Sequence, residues 1–312
     1  MNRVAIITIN YNNSADTIAL LKSLLAQVGA GDFIYVLDNA SALEDFEVLK
    51  SFVCEKSEKI SLIKSDKNLG FAAGNNFVFE QICDEFKYVL FVNNDTLADE
   101  NMLENLLECA QKNEVGALTG AIYCYPEKGK LWNAGGKLTW LDRKYFSQKK
   151  IERKIFKKQN FVRASFITGC LMLLEVEKIR KVLQKGKLFD ERFFFGQEDF
   201  NLCVRLKRAK ICVGAALEAV LYHKVSATIG EVSSNKINKN ILHFAMRIVD
   251  RRNFSSKFGF VVWRAVYMIL LRIKLRLGGY LGKEVRQIVR GVKKYGRGAS
   301  VDKKVFEEIM RG

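Results

Sequence analysis

The sequence of 312 residues is poor in proline and histidine, with one proline (Pro126) and two histidines. A single proline excludes a proline-rich linker or stalk. The seven cysteines are odd in number and none has C-x-x-C spacing, which argues against a disulfide framework and against a structural zinc site. From the cysteine pattern we expect a reduced protein with buried thiols. The short apolar run near the start ends in asparagines rather than in a cleavage site, so we expect no secretory signal.

The charge is distributed unevenly along the chain. The formal net charge is +17, and residues 236–312 contribute 19 basic and 5 acidic residues, a net of +14. Residues 1–235 therefore carry only +3. With 49% apolar residues the chain can form a core. We predict a nearly neutral domain over 1–235 and a basic amphipathic helical region over 236–312.

The first part of the chain alternates short apolar runs with amphipathic stretches, which predicts alternating strands and helices. This order is typical of an α/β fold with a mainly parallel sheet and helices on both faces. Ligands of such sheets bind at the carboxyl ends of the strands. The predicted strands are 4–9, 33–37, 60–64, 88–92 and 115–123, and the predicted helices are 14–27, 43–56, 99–112 and one that follows the turn NLGFAAGNN and ends near residue 86.

After residue 124 the alternation is lost, and the expected elements are more varied. Beyond residue 236 the pattern is helical. Between these points we predict a hairpin or extended loop over 130–140, a basic mobile loop over 143–158, a strand over 161–174 that enters a turn at Gly169, a helix over 197–208, and short strands at 211–213 and 219–222.

Asparagine and aspartate follow four consecutive predicted strands. One such cluster would be ordinary turn and cap chemistry, but four clusters at one edge of one sheet indicate a ligand site. The clusters comprise Asn10, Asn12 and Asn13; Asp38 and Asn39; Asn68 and Gly70, which lead to Gly74, Asn75 and Asn76; and Asn93, Asn94 and Asp95.

These residue types suit a nucleotide-linked ligand. The Asp38 carboxylate can accept the imide N–H of uracil or thymine, and Gly70 and Gly74 would let the backbone approach a ribose or phosphate. Asp95 can hold a hard divalent cation, with water and diphosphate oxygens completing the shell. The glycine segment is neither a Walker loop nor G-x-G-x-x-G, which argues against phosphate hydrolysis and hydride transfer.

A second group of functional candidates lies further along the chain. Glu198 and Asp199 open a predicted helix after a run of phenylalanines. They are either ordinary helix N-terminal charges or a carboxylate base in an aromatic cleft. Arg205, two turns along, could orient them or contact phosphate. His223 follows a predicted strand and could bind a metal or phosphate, whereas His243 lies in an amphipathic helix and is expected to be structural.

An ordered set of segments carries a family resemblance: IITINYNN, VLDNAS, NLGFAAGNN, FVNNDT, NAGG, FITGCLMLL, FDERFFFGQEDFNLCVR and the His223 region. Over residues 4–230 this set resembles glycosyltransferase family 2, especially its bacterial rhamnosyltransferase-like members. The resemblance implies a GT-A fold and an inverting hexosyltransferase that needs a divalent metal, Mg²⁺ or Mn²⁺. It implies a dTDP- or UDP-sugar donor, for example dTDP-rhamnose, and a glycan or polyprenyl-linked acceptor in surface polysaccharide assembly.

The resemblance also implies residue roles. Asp199 would be the catalytic base and Glu198 would support it or bind acceptor, while Asp95 and His223 would bind the metal. Many relatives have two carboxylates where this chain has only Asp95, so metal affinity could depend on the donor diphosphate. Donor-binding residues would be Asn10, Asn12, Asp38, Asn68, Gly70, Gly74, Asn75, Asn76 and Asn94. Acceptor-binding residues would be Gly169, Cys170, Arg205 and, from its aromatic face alone, Trp132.

The basic C-terminal region contains an apolar stretch over 258–271, which is interrupted by Arg264 and followed by Arg272, Lys274 and Arg276. It is shorter than the roughly 20 residues that span a bilayer. We predict an in-plane or hairpin anchor on an anionic membrane, with the enzyme cytoplasmic at the inner face. A helix packed on the catalytic domain and a homo-oligomer interface are the alternatives.

Two other functions are compatible with parts of the sequence. The single carboxylate at Asp95 would also suit a non-catalytic nucleotide-sugar-binding protein. The net charge alone would suit a nucleic-acid-binding protein, but the basic region has no recognised reading motif and accompanies a long apolar run. We therefore expect no nucleic-acid partner.

Overall fold

The computed structural model describes residues 2–56, 58–224 and 235–312. By their contacts, the described residues form two compact units. The smaller unit comprises Thr139–Asp142, Glu191–Glu198 and the C-terminal helices, and the larger unit comprises the rest. Ser226 and Thr228, which follow His223 in the sequence, lie outside the described residues.

The larger unit alternates strands and helices in its first half, as the apolar pattern predicts. Its strands are β1 (Asn2–Asn10), β2 (Asp32–Asp38), β3 (Ile60–Lys64), β4 (Phe86–Val92), β5 (Thr96–Ala98), β6 (Ala117–Cys124), β7 (Leu131–Asn133), β8 (Gly136–Leu138), β9 (Arg143–Tyr145), β10 (Phe161–Ala164), β11 (Leu171–Glu175) and β12 (Val213–His223). Its helices are α1 (Ser14–Leu25), α2 (Leu43–Lys56), α3 (Gly70–Ile82), α4 (Met102–Lys112), α5 (Gln148–Phe156), α6 (Val176–Ile179) and α7 (Glu198–Arg208), with single 3₁₀ turns at Cys83–Glu85 and Arg180–Val182. The first residue of α7, Glu198, is grouped with the smaller unit.

Ten strands form the main sheet, in the order β10-β12-β6-β11-β4-β1-β2-β3, with β5 beside β12 and β7 beside β6. The strands β3, β2, β1 and β4 are mutually parallel, so their carboxyl ends share one edge. β11 then runs antiparallel between β4 and β6, which makes the whole sheet mixed. β8 and β9 form a separate hairpin.

Both faces of the sheet are buried, which explains the uninterrupted apolar runs of the central strands. In β1, Val4 and Ile6 pack in one cluster with residues of α1, α2 and α4. Ala5 and Ile7 belong to a second cluster with residues of α3, α6 and α7. The helices named here thus bury their apolar faces against the two faces of the sheet.

Three predictions for the local structure were wrong. The segment NLGFAAGNN is mostly helix, because α3 begins at Gly70 and Gly74 packs directly on the sheet. Residues 143–158 are ordered as β9 and α5, since Ser147 caps α5 and Ile151 is buried. The two short strands near residues 211–222 are one strand, β12, whose register against β6 shifts between Ala216 and Val220.

Within the described residues, the smaller unit contains four helices: α8 (Lys236–Asn253), α9 (Lys257–Leu277), α10 (Gly282–Tyr295) and α11 (Lys303–Arg311). Its core includes Trp263 and Ile288, which are fully buried. The Arg247 guanidinium is also buried and pairs with Asp250 at 3.3 Å. Burial lowers the pKa of Arg247, although the nearby Asp250 and Asp142 carboxylates oppose this effect.

Among the described helices, none has both the length and the apolar character needed to cross a bilayer.

Candidate active site

A buried hydrogen-bond network joins the carboxyl ends of β1, β2 and β4. The Asn10 side chain is completely buried, and its Nδ2 donates to Asp38 Oδ2 at 3.0 Å and to Asp45 Oδ2 at 2.8 Å. Its Oδ1 accepts from Thr17 Oγ1 at 2.8 Å, and Thr17 Oγ1 accepts from Asn94 Nδ2 at 3.0 Å. Three of the four asparagine and aspartate clusters therefore contribute to one network. This network holds together the segments that follow β1, β2 and β4.

Asp38 is used inside the protein rather than presented to a ligand. Its side chain has no exposed surface, and its Oδ1 accepts from the Ser41 backbone N–H at 3.1 Å while its Oδ2 accepts from Asn10. These bonds shape the loop after β2. Both oxygens have internal donors in the structure, and the contact of Asp38 with the donor base stays a prediction.

Two residues of this edge were missed by the sequence reasoning. Tyr11 directly follows β1 and is 43% exposed beside the exposed Asn12, whose Oδ1 accepts from the Ala42 N–H at 2.7 Å. Asp45, on α2, completes the Asn10 network. Partial burial raises the pKa of Asp45, but hydrogen bonds from Ser14, Asn10 and Ser41 outweigh it and lower the pKa overall. The sequence feature that could have identified Tyr11 is an aromatic residue directly after a buried strand.

The loop before α3 is fixed by a pair of asparagines. Asn39 Nδ2 donates to Asn68 Oδ1 at 3.2 Å, and Asn39 Oδ1 accepts from the Leu69 N–H at 2.8 Å. Asn68 Oδ1 also accepts from the Gly70 N–H at 2.9 Å. Gly70 has φ of 77°, which is unfavourable for a residue with a side chain. The half-exposed Asn68 thus lies beside the ends of β2 and β3.

Gly74, Asn75 and Asn76 have internal roles in the structure, and their contact with a nucleotide stays a prediction. A Cβ at Gly74 would lie 2.9 Å from Ile9 Cδ1, so the close approach there is between α3 and the sheet. Asn75 Nδ2 donates to the Phe71 carbonyl one turn back. Asn76 donates to the Phe189 carbonyl at 2.9 Å and its Oδ1 accepts from the Phe189 N–H at 2.9 Å.

Asp95 and His223 meet at the mouth of β4 and β12. His223 Nε2 lies 3.3 Å from Asp95 Oδ1, and both side chains are more than nine-tenths buried. Neither Asp95 Oδ1 nor His223 Nδ1 has a hydrogen-bond partner among the described residues. Two ligands at right angles, each about 2.1 Å from an octahedral ion, lie about 3 Å apart. The pair therefore fits two neighbouring positions of a divalent cation. In the described parts of the chain, no group of three His, Cys, Asp or Glu side chains could hold a metal.

Trp132 and Cys170 surround this pair. The Trp132 ring contacts the His223 ring edge-on, with centroids 4.5 Å apart, so part of its aromatic surface already packs on the protein. The Cys170 carbonyl accepts from the Asn93 N–H at 3.0 Å, which ties the start of β11 to the end of β4. Burial, and secondarily the Asp95 charge, raise the pKa of the Cys170 thiol well above its usual value. This thiol is therefore a poor nucleophile.

Asp199 lies at the first turn of α7 next to the turn before β11. A Cβ built at Gly169 would be 3.9 Å from Asp199 Cβ and 3.1 Å from the Phe71 ring, so Gly169 leaves room for both. Arg143 Nη1 lies 3.7 Å from Asp199 Oδ1, and the Arg143 guanidinium stacks 4.8 Å from the Phe166 ring. The stacked guanidinium can fix the orientation of the Asp199 carboxylate. Arg143 is a third residue that sequence reasoning missed, because residues 143–158 were predicted to be a loop.

Glu198 and Arg205 occupy the two ends of the same helix. Glu198 is buried, with a relative exposure of 6%. The Arg205 guanidinium donates to the Asn201 side chain and to the carbonyls of Val182 and Leu188. These bonds give Arg205 an internal role, and its contact with the acceptor stays a prediction.

The fold and the site together define a class. The parallel strands end in asparagine and aspartate side chains, and Asp95 after β4 meets His223 at the end of β12, as the family resemblance predicts. The profile described as "Glycosyl transferase family 2" matches residues 5–183, more than half of the chain. The chain therefore belongs to glycosyl transferase family 2. No curated protein sequence matches it significantly.

Two solved structures are similar in fold. The structure of GalNAc-T7 with UDP, GalNAc and Mn²⁺ has a TM-score of 0.59 and 13% identity, over 86% of this chain and 54% of that one. The mannosyltransferase PcManGT from Pyrobaculum calidifontis, in complex with GDP-Man and Mn²⁺, has a TM-score of 0.57 and 13% identity, over 99% of this chain and 85% of that one. The chain thus spans about half the length of GalNAc-T7. The likeness confirms the GT-A fold.

Proposed function

We propose that this protein is an inverting glycosyltransferase that moves a sugar from a nucleotide-diphosphate donor to an acceptor hydroxyl. The observation that carries the proposal is the buried Asp95–His223 pair, in which His223 Nε2 lies 3.3 Å from Asp95 Oδ1 and this oxygen has no hydrogen-bond partner among the described residues. It stands at the strand edge of a family 2 chain. We assign the transfer reaction to residues 1–235.

A divalent cation, Mg²⁺ or Mn²⁺, would be held by Asp95 and His223, with donor oxygens and water in the remaining positions. When bound, it would offset the negative charge that grows on the leaving diphosphate. The two similar structures, whose descriptions name Mn²⁺ with UDP or GDP-Man, support this proposal. With a single protein carboxylate in the set, we expect the cation and the donor to bind cooperatively.

Asp199 would act as the catalytic base. As the acceptor oxygen attacks the anomeric carbon, Asp199 takes the hydroxyl proton, the new C–O bond forms, and the bond to the diphosphate oxygen breaks on the opposite face. Attack opposite the leaving group inverts the anomeric centre. Arg143 would orient the carboxylate through the contact at 3.7 Å, and the buried Glu198 would support this end of α7. The acceptor would lie near Gly169 and Cys170, with Trp132 closing the far side.

The donor base would lie over Tyr11, whose exposed ring can stack on a pyrimidine. Asn12, Asn68 and Asn94 are the accessible or half-exposed polar residues at the ends of the parallel strands, and would contact the nucleotide. Asp38 and Asn10 would act indirectly, by holding the loops in place. We propose a rhamnosyltransferase-like specificity, with a dTDP- or UDP-linked donor and a glycan or polyprenyl-linked acceptor of surface polysaccharide assembly.

A donor screen tests this proposal. Thermal unfolding of the full chain with UDP-, dTDP- and GDP-sugars, each with Mn²⁺ or with a chelator, should give one donor that raises Tm only when the cation is present. At a ligand concentration of a hundred times Kd, the stabilisation is about 2.7 kcal/mol. A Tm that no nucleotide sugar changes would contradict the proposal. The selected donor is then incubated with acceptor hydroxyls, and donor binding without transfer or hydrolysis would favour a non-catalytic binding protein.

We also propose that residues 236–312 associate peripherally with an anionic membrane on its cytoplasmic face. The support is the net charge of +14 together with an exposed apolar row on α9, which includes Phe258, Val262, Ile269 and Leu277. An amphipathic helix of this kind lies in the membrane interface. The full chain should co-sediment with phosphatidic acid vesicles and not with phosphatidylcholine vesicles. Self-association in place of vesicle binding would identify the row as a homo-oligomer interface.

A further inference from the structure

A basic groove lies between α9 and α10 within the smaller unit. Its volume is about 370 Å³, and Val285 and Val289 contribute apolar surface to its lining. The cationic side chains that line it come from both helices and are Arg272, Arg276, Arg286, Arg290 and Lys293. Arg272 and Arg276 lie one turn apart on α9, as do Arg286 and Arg290 on α10, so each helix presents a pair to the same concavity.

In the part of the chain that the structure describes, no carboxylate pairs with these five cations. Among the described residues, none of them forms an ion pair, whereas neighbouring Lys294 is paired with Glu308 at 2.8 Å. Arg272 Nη1 donates to the Met268 carbonyl at 2.9 Å, which holds its guanidinium by the helix. Like charges gathered around one concavity repel each other, and an anion removes that cost. Guanidinium groups bind phosphate oxygens in pairs, which favours a phosphate over a carboxylate ligand.

Apolar surface adjoins the groove on the α9 side. Ile269, Arg272, Ile273 and Arg276 follow i, i+3, i+4, i+7 spacing, so isoleucines and groove arginines share one face of the helix. Ile269 and Ile273 are 57% and 49% exposed. A ligand that satisfies both surfaces carries an anionic head and an apolar tail. Soluble phosphates would satisfy only the arginines, and a nucleic acid would leave the isoleucines in water.

We infer that the groove between α9 and α10 binds the phosphate group of a membrane lipid, while the exposed apolar face of α9 contacts its acyl or prenyl chains. This inference rests on the membrane association proposed above and adds a defined headgroup site to it. The site is separate in sequence from the residues assigned to sugar transfer. It would hold the smaller unit at lipid phosphates rather than at any negatively charged surface.

The test compares two double variants of the full chain that lose the same charge. Arg286→Gln with Arg290→Gln removes two groove cations, and Lys236→Gln with Lys304→Gln removes two exposed cations that do not line the groove. Partition into phosphatidic acid vesicles should fall about thirty-fold in the groove variant, because each arginine near an anionic surface contributes about 1 kcal/mol to binding. The control variant should change by no more than a few-fold. Unchanged Tm values confirm that both variants are folded.

The outcomes separate the inference from the proposal beneath it. If wild-type protein binds neither phosphatidic acid vesicles nor phosphatidylcholine vesicles, the membrane proposal itself is wrong. If wild-type protein binds and both variants lose the same affinity, diffuse charge explains the binding and the groove inference is overturned. Calorimetry with inorganic diphosphate in chelator tests the phosphate chemistry alone. Diphosphate binding that the groove variant loses, without any vesicle binding, would overturn the lipid as the source of the phosphate.

Discussion

Replacing Asp199 with asparagine should reduce sugar transfer by about a thousand-fold while leaving donor affinity within a few-fold of wild type. The expected loss is the usual contribution of a positioned general base. Asparagine keeps the Oδ1 atom that accepts from the Phe200 N–H at 2.6 Å, so the start of α7 should be preserved. The change removes the proton acceptor and the charge that faces Arg143. Initial rates at saturating donor and donor Kd by calorimetry measure the two quantities separately.

A matched control uses a carboxylate that is far from the reaction in the fold. Glu177 on α6 is exposed and pairs with Arg180 at 2.8 Å, so Glu177→Gln removes the same charge from the surface and should leave the rate unchanged. Turnover of Asp199→Asn near the wild-type rate would exclude Asp199 as the base. A parallel loss of rate and donor affinity would instead assign Asp199 to the donor pocket.

The extent to which sequence predicts this fold depends on whether a feature is local. The predicted bounds of α2 and β3 match the structure, and those of β1 differ by up to two residues, because apolar patterns and flanking polar residues are local signals. The antiparallel insertion of β11 between β4 and β6 was not predictable, because strand neighbours are chosen by packing between distant segments. For the same reason the sequence predicts a loop over residues 143–158, whereas the structure orders them by the pairing of β9 with β8 and the burial of Ile151.

The candidate site shows the same division. Residue type and position after a strand singled out Asp95 and His223, and the structure brings these two side chains together. Residue type alone does not predict that Asn76 and Arg205 form hydrogen bonds with the segment before α7, because these partners are remote in sequence. Asp38 has the right chemistry for a base contact, but its neighbours Asn10 and Ser41 already use it. Buried polar groups seek internal partners, and those partners are visible only in three dimensions.

Replacing Asp95 with asparagine should weaken the cation-dependent part of donor binding by more than about a hundred-fold. Loss of a residue outside the ligand set commonly costs ten- to a hundred-fold in metal affinity, and loss of the only carboxylate ligand should cost more. Asparagine is a neutral and weaker oxygen ligand of similar shape. Calorimetry of donor binding with Mn²⁺ and with chelator measures the effect, which should disappear in chelator. Asp84→Asn, a surface change at a carboxylate paired with Arg180, is the control.

The same variant distinguishes a metal site from a simple hydrogen-bonded pair. If Asp95 served only to hold His223, the asparagine carbonyl could still accept from the imidazole Nε2–H, and donor affinity would be unchanged with or without Mn²⁺. If the pair binds a cation, the loss appears only when Mn²⁺ is present, and His223→Gln should reproduce it in part because a neutral ligand is removed. Mn²⁺ binding can also be measured directly from the broadening of its electron spin resonance signal. This measurement tests the site without donor and without turnover. Equal Mn²⁺ binding by wild type and Asp95→Asn would place the cation elsewhere and leave the buried pair with a structural role.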